Sequence, residues 1–157
     1  MENKYTVLIV EDNPEARKLS TFILESNGYT VFGGSNAGEA LSILDKSGES
    51  FDAVLLDYDL PDITGGTLGG WIRSKFPDIA ILIVTGYGRL PAIVKQTYNI
   101  QATLITKPIV EEELIAAIEA TIENRKLKRK IKRDATVNTE TIRHILSLGA
   151  NPKGLSN

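Results

Sequence analysis

The 157-residue chain is 42% hydrophobic and 24% charged, an ordinary balance for a globular fold, and it is long enough for one domain with a modest extension. It has no cysteine, which excludes disulfides and thiolate metal sites, and its only histidine, His144, leaves no material for a histidine metal cluster or a catalytic triad. The opening Met-Glu-Asn-Lys-Tyr does not read as a signal peptide, and no apolar run approaches the roughly 18 residues that a membrane helix needs, so a cytoplasmic protein without membrane insertion is expected.

The first strand is predicted over Tyr5–Val10. A helix follows, with Pro14 in its first turn, Leu19, Ile23 and Leu24 at helical spacing, and a stop at Asn27-Gly28. Thr30–Gly33 reads as the second strand. Asn36 with Glu39 resembles a capping box, and Leu41 and Leu44 share a face behind it. Ala53–Leu56 is the third strand. The third helix, about Thr67 to Phe76, is weakened by Gly69 and Gly70, and with Gly65 and Gly66 the segment reads as a frayed helix start. Ala80–Val84, a helix from Leu90 to Tyr98, and Ala102–Thr106 come next. A long helix runs from near Val110 to about Lys132, with Glu111, Glu112 and Glu113 at the positive end of its dipole. Strand and helix alternating five times, with short apolar strands suited to burial on both faces, predicts a doubly wound α/β fold with a parallel sheet.

The net charge of −2 conceals an asymmetry. Seven basic residues lie between Arg125 and Arg133, and removing that segment takes the remaining chain from −2 to −9. The expected division is therefore residues 1–124 and a basic helical extension with a flexible tail, 125–157. In the tail, Asp134–Asn138 reads as a linker, Thr139–Leu148 as a short amphipathic helix, and Asn151–Asn157 as disordered. The extension is open to four roles: a solvated helix, a partner-docking helix, a homodimer contact or an anionic-surface contact. The acidic body, and a basic segment without aromatic stacking residues, argue against a nucleic-acid binder.

In doubly wound folds the functional groups collect at the carboxyl ends of the strands. Here those ends carry Glu11-Asp12, Asp57, Thr85-Gly86 and Lys107-Pro108. Three crowded carboxylates raise one another's pKa, and a hard divalent cation relieves that cost. Oxygen-only ligands open to water suit magnesium. With the metal holding one phosphoryl oxygen, Lys107 can pair with another and Thr85 can donate a hydrogen bond to a third. Asp57, deepest in the crevice, is then the nucleophile that forms an acyl phosphate.

This set of residues resembles the receiver domain of two-component response regulators, over about residues 4 to 124, and the loop Asp57-Tyr58-Asp59-Leu60-Pro61-Asp62 looks like that family's loop after the phosphoacceptor. The resemblance implies a flavodoxin-like sheet of order 2-1-3-4-5 and a phosphoryl donor that is a sensor histidine kinase or histidine phosphotransfer protein. It implies a signalling module that switches an output partner and catalyses only its own phosphorylation and dephosphorylation. It also implies magnesium held by the side chains of Asp12 and Asp57, by Glu11 through water and by the backbone carbonyl of Asp59, with a cis Lys107-Pro108 bond. One departure is Ile105, which stands where the family commonly has an aromatic switch residue, with Tyr87 or Tyr98 as candidate substitutes. The chain would be a stand-alone receiver or a receiver from a longer regulator or hybrid kinase. Two rival readings remain open. One is a degenerate receiver that binds partners without phosphorylation, although its usual mark, loss of an acidic residue or the lysine, is missing. The other is a haloacid-dehalogenase-like phosphatase using Asp57-Tyr58-Asp59, although in that family the pair follows the first strand rather than the third.

Overall fold

The computed structural model describes residues 4–86 and 90–149. Its strands are β1 (Thr6–Val10), β2 (Thr30–Gly34), β3 (Ala53–Asp57), β4 (Ala80–Thr85) and β5 (Thr103–Thr106). The helices are α1 (Pro14–Ser26), α2 (Ala37–Ser47), α3 (Gly65–Lys75), α4 (Pro91–Asn99) and α5 (Glu111–Ser147). All strand pairings are parallel and the sheet order is β2-β1-β3-β4-β5, so the doubly wound, flavodoxin-like expectation holds.

The side-chain alternation of the central strands builds two separate cores. Val7, Ile9, Leu55, Leu82 and Val84 meet Ile23 and Leu24 of α1 and Leu114, Ile118 and Ile122 of α5. Leu8, Val10, Leu56, Ile81 and Ile83 meet Leu44 of α2 and Leu68 and Ile72 of α3 on the other face. Ile105 is 8% exposed and belongs to the first of these cores.

Local chemistry fixes where the helices begin. Asn13 caps α1, its side-chain oxygen accepting from the amides of Glu15 at 2.9 Å and Ala16 at 3.0 Å, with Pro14 at the first helical position. Asn36 caps α2 by accepting from the Glu39 amide at 2.8 Å. The Glu39 carboxylate reaches back one residue further than a capping box requires, to the amide of Ser35 at 2.8 Å. In α1 the residue turned inward is Ser20, whereas Leu19, grouped by spacing with Ile23 and Leu24, is 54% exposed.

Two sequence expectations are corrected. The glycine-rich start of α3 is not frayed: the helix begins at Gly65, and Gly65, Gly66 and Gly69 are buried. A β-carbon at Gly65 would overlap the carbonyl oxygen of Asp57, and one at Gly69 would lie 2.7 Å from Ile100 Cδ1. Close packing explains these glycines. The second correction concerns the tail: Asp134–Asn138 is not a linker and Thr139–Leu148 is not a separate helix, because α5 runs unbroken to Ser147 instead of ending near Lys132. The hydroxyls of Thr136, Thr139 and Thr141 each donate to the carbonyl four residues earlier, at 3.0, 3.0 and 2.9 Å, so Thr136, in the expected linker, satisfies itself on the helix just as Thr139 and Thr141 do beyond it.

By its internal contacts the chain forms two units, residues 1–125 and 126–157. In the first, Tyr5 hydrogen-bonds Glu123, Thr103 and Thr121 share a hydroxyl contact of 2.8 Å, and Arg125 binds Gln101 and the carbonyl of Pro77. In the second, the described residues 126–149 are all exposed. His144 lies on this exposed helix, and Asn151–Asn157 fall outside the described residues. No helix among the described residues is long and apolar enough to cross a membrane.

Candidate functional site

Sheet register assembles the site. Val10 pairs with Leu56 and Asp57 with Val84, so the strand ends carrying Glu11 and Asp57 lie side by side. Thr85 pairs with Thr106, and the Lys107 amide donates to the Thr85 carbonyl at 3.0 Å, which brings the ends of β4 and β5 to the same edge. One carboxylate oxygen each from Glu11, Asp12 and Asp57 lies within 4.8 Å of the other two. Lys107 Nζ sits 3.3 Å from Asp57 Oδ2 and 3.9 Å from Glu11 Oε1. Thr85 is fully buried at the end of β4, and the Lys107-Pro108 bond is cis.

The electrostatics are those of a site short of positive charge. Asp57 and Glu11 are 6% and 7% exposed, while Asp12 is exposed. Burial pushes the Glu11 carboxyl up to about 8, and the neighbouring Asp57, by hydrogen bonding and like charge, pushes in the same direction; Lys107 opposes both. Glu11 Oε2 is buried and has no hydrogen-bond partner. Crowded carboxylates held by burial, one of them with an orphaned oxygen, are a donor set that suits a hard divalent cation.

Asp59 stands apart from the triad among the described residues. Its amide donates to Asp57 Oδ1 at 3.2 Å, fixing the rotamer of the central carboxylate, and it bridges to Thr64 across the loop. Of the aromatics considered in place of Ile105, Tyr98 is 82% exposed on α4 and Tyr87 lies outside the described residues.

Two features were missed in the sequence. The first is a cavity of about 250 Å³ beside the site, where Ile9, Leu19, Leu55, Val84 and Ile109 form an apolar wall next to Glu11, Asp57 and Lys107. Only the tertiary arrangement of α1 against the β5–α5 loop creates it. The second is Asp62, in the loop after Asp57, whose carboxylate accepts from the amides of Ala37 and Gly38, both at 3.0 Å, at the first turn of α2. These amide bonds hold its carboxyl below the usual carboxylate range, Ala37 contributing most. The partner is 25 residues away, so no local motif announces it.

Comparison with known proteins gives the family. Residues 7–119 match the family described as the response regulator receiver domain, and the chain belongs to that family, a signalling module of two-component systems. Sensor protein TorS of Escherichia coli (strain K12) is 31% identical over 108 residues, which cover 69% of this chain and 12% of that protein. Sensor kinase CckA of Brucella abortus (strain 2308) is 32% identical over 124 residues, 75% of this chain and again 12% of the relative, so the chain spans only a small part of these curated relatives. Among solved structures, the CheY-like receiver domain protein of Methanospirillum hungatei JF-1 superposes with a TM-score of 0.72 at 30% identity, covering 79% of this chain and 98% of that one. A receiver domain protein of Clostridium thermocellum gives 0.74 at 27% identity with the same coverage.

Proposed function

We propose that the chain accepts a phosphoryl group on Asp57 from a sensor histidine kinase or a histidine phosphotransfer protein in the cytoplasm, and thereby switches its binding to an output partner. The observation that carries this reading is the buried Asp57 carboxylate, with Lys107 Nζ at 3.3 Å on one side and the carboxylates of Glu11 and Asp12 on the other.

An Asp57 oxygen attacks the phosphorus of phosphohistidine. The new P–O bond forms as the P–N bond breaks, and the imidazole nitrogen keeps the bonding pair. Lys107 leaves its ion pair with Asp57 to hold a phosphoryl oxygen, and the Thr85 hydroxyl donates to another. The side chains of Asp12 and Asp57, Glu11 through water and the Asp59 carbonyl would hold magnesium, which would neutralise the charge gathered there. Water later cleaves the acyl phosphate to restore the carboxylate and release inorganic phosphate. The chain is a phosphoacceptor, and it turns over no substrate other than its own acyl phosphate.

The test is incubation with acetyl phosphate or phosphoramidate and magnesium, read by intact mass. The wild type gains one phosphoryl group, about 80 Da, and the gain needs magnesium. An undiminished gain in Asp57→Asn would place the acceptor elsewhere. Turnover of a generic phosphomonoester would favour a phosphatase instead.

A further inference from the structure

The part of α5 beyond Arg125 is a helix whose apolar side chains are left in solvent. Leu127, Ile131, Val137, Ile142, Ile145 and Leu148 are between 48% and 71% exposed. At about 100° per residue these six fall within half of the helix circumference. The opposite half carries Arg129, Lys132, Arg133, Glu140 and Arg143. Starting at Leu127, alternating steps of four and three residues land on Ile131, Asp134, Asn138, Thr141, Ile145 and Leu148. That is a heptad seam, in which Ile131, Asn138 and Ile145 hold the first core position and Leu127, Asp134, Thr141 and Leu148 the second.

We infer that residues 127–148 pair with the same segment of a second copy of this chain as a parallel two-stranded coiled coil. Three observations select this occupant. The apolar face has Asn138 at its middle, where lipid or a purely apolar groove would leave its amide without a partner. In a symmetric seam Asn138 meets its own copy and each amide satisfies the other, at the core position where asparagine specifies parallel pairs. Next, the residues flanking the seam are compatible across it: Lys130 faces Ala135 of the second copy, and Val137 faces Ile142, with no like-charge pair. Finally, Lys126, Arg129, Lys132 and Arg133 occupy outward positions and Lys128 and Lys130 flank the seam, so no basic residue enters its core. Asp134 opposes its counterpart, which keeps the association weak and adjustable.

The inference does not depend on phosphorylation, and its test uses the full chain. Sedimentation equilibrium over micromolar to submillimolar concentrations should show a reversible approach to twice 17.2 kDa. Ile131→Asp combined with Ile145→Asp should abolish the dimer and leave phosphorylation of Asp57 intact, which also shows that the rest of the chain is folded. Asp134→Leu should tighten it at least tenfold. Because the chain has no cysteine, Leu127→Cys gives a single thiol that oxidises to a disulfide dimer only if the helices run parallel. A monomer at every concentration, a dimer that survives the double aspartate variant, or sedimentation with anionic phosphatidylglycerol vesicles in place of self-association would each overturn the inference.

Discussion

Glu11 sets a pH dependence that belongs to the metal-free protein. Its carboxyl ionises near 4.5 when unperturbed and at about 8 in the fold, chiefly because burial disfavours the charge. Between those values the unfolded chain has released a proton that the folded chain retains. The stabilisation is therefore complete below pH 4.5 and is lost as the pH rises toward 8. Urea denaturation without magnesium should show stability declining across that window, and Glu11→Gln should flatten the decline. An identical slope in the variant would mean that another group carries the titration. The sequence made the members of this site legible, because strand-end chemistry is local to each strand. It did not reveal the hierarchy among the carboxylates, since exposed Asp12 and buried Glu11 are adjacent in the chain and differ only in what the fold lays over them.

At the scale of elements, α3 shows how glycines in one helix can have opposite meanings. A β-carbon at Gly70 would find its nearest neighbour, Ile100 Cγ2, at 3.9 Å, which is ordinary contact. Gly70→Ala should stabilise the protein by up to about 1 kcal/mol, the difference in helix propensity. At Gly65 the obstacle is the backbone of Asp57 and Tyr58, which cannot move without moving the acceptor. Gly65→Ala should cost more than Gly70→Ala gains, and should slow phosphorylation as well. Thermal melts of the two variants give the signs; equal effects would show that propensity alone governs this helix. Composition made all four glycines look like helix breakers, because the distinction lies in Asp57 and Ile100, residues far from them in sequence or known only once packed. The helical continuation through Asp134–Asn138 was hidden for a similar reason: threonine and asparagine favour turns locally, and only the regular backbone shows the hydroxyls folded onto carbonyls one turn back.

At the scale of the whole molecule, the two units differ in what protects them. Strands β1, β3 and β4 are buried nearly throughout, whereas every described residue after Arg125 is exposed. Amide hydrogen exchange should therefore be slow and independent of protein concentration in the strands. In residues 126–149 it should be fast in dilute solution and slow down as concentration rises. Concentration-independent exchange in the tail would show that its helix stands without a partner.

Asp62 has a further consequence, best put in mechanical terms. By gripping the first turn of α2 from the loop that begins at the acceptor, it acts as a tie-rod, so a tug on that loop becomes a displacement of a helix that carries no catalytic group. The outer face of α2 is then a dial for the chemistry inside. Ser42 lies on that face in a chain without other thiols, so Ser42→Cys gives a unique address for a fluorescent label. The label should move its emission when Asp57 is phosphorylated and fall silent once Asp62→Ala cuts the rod.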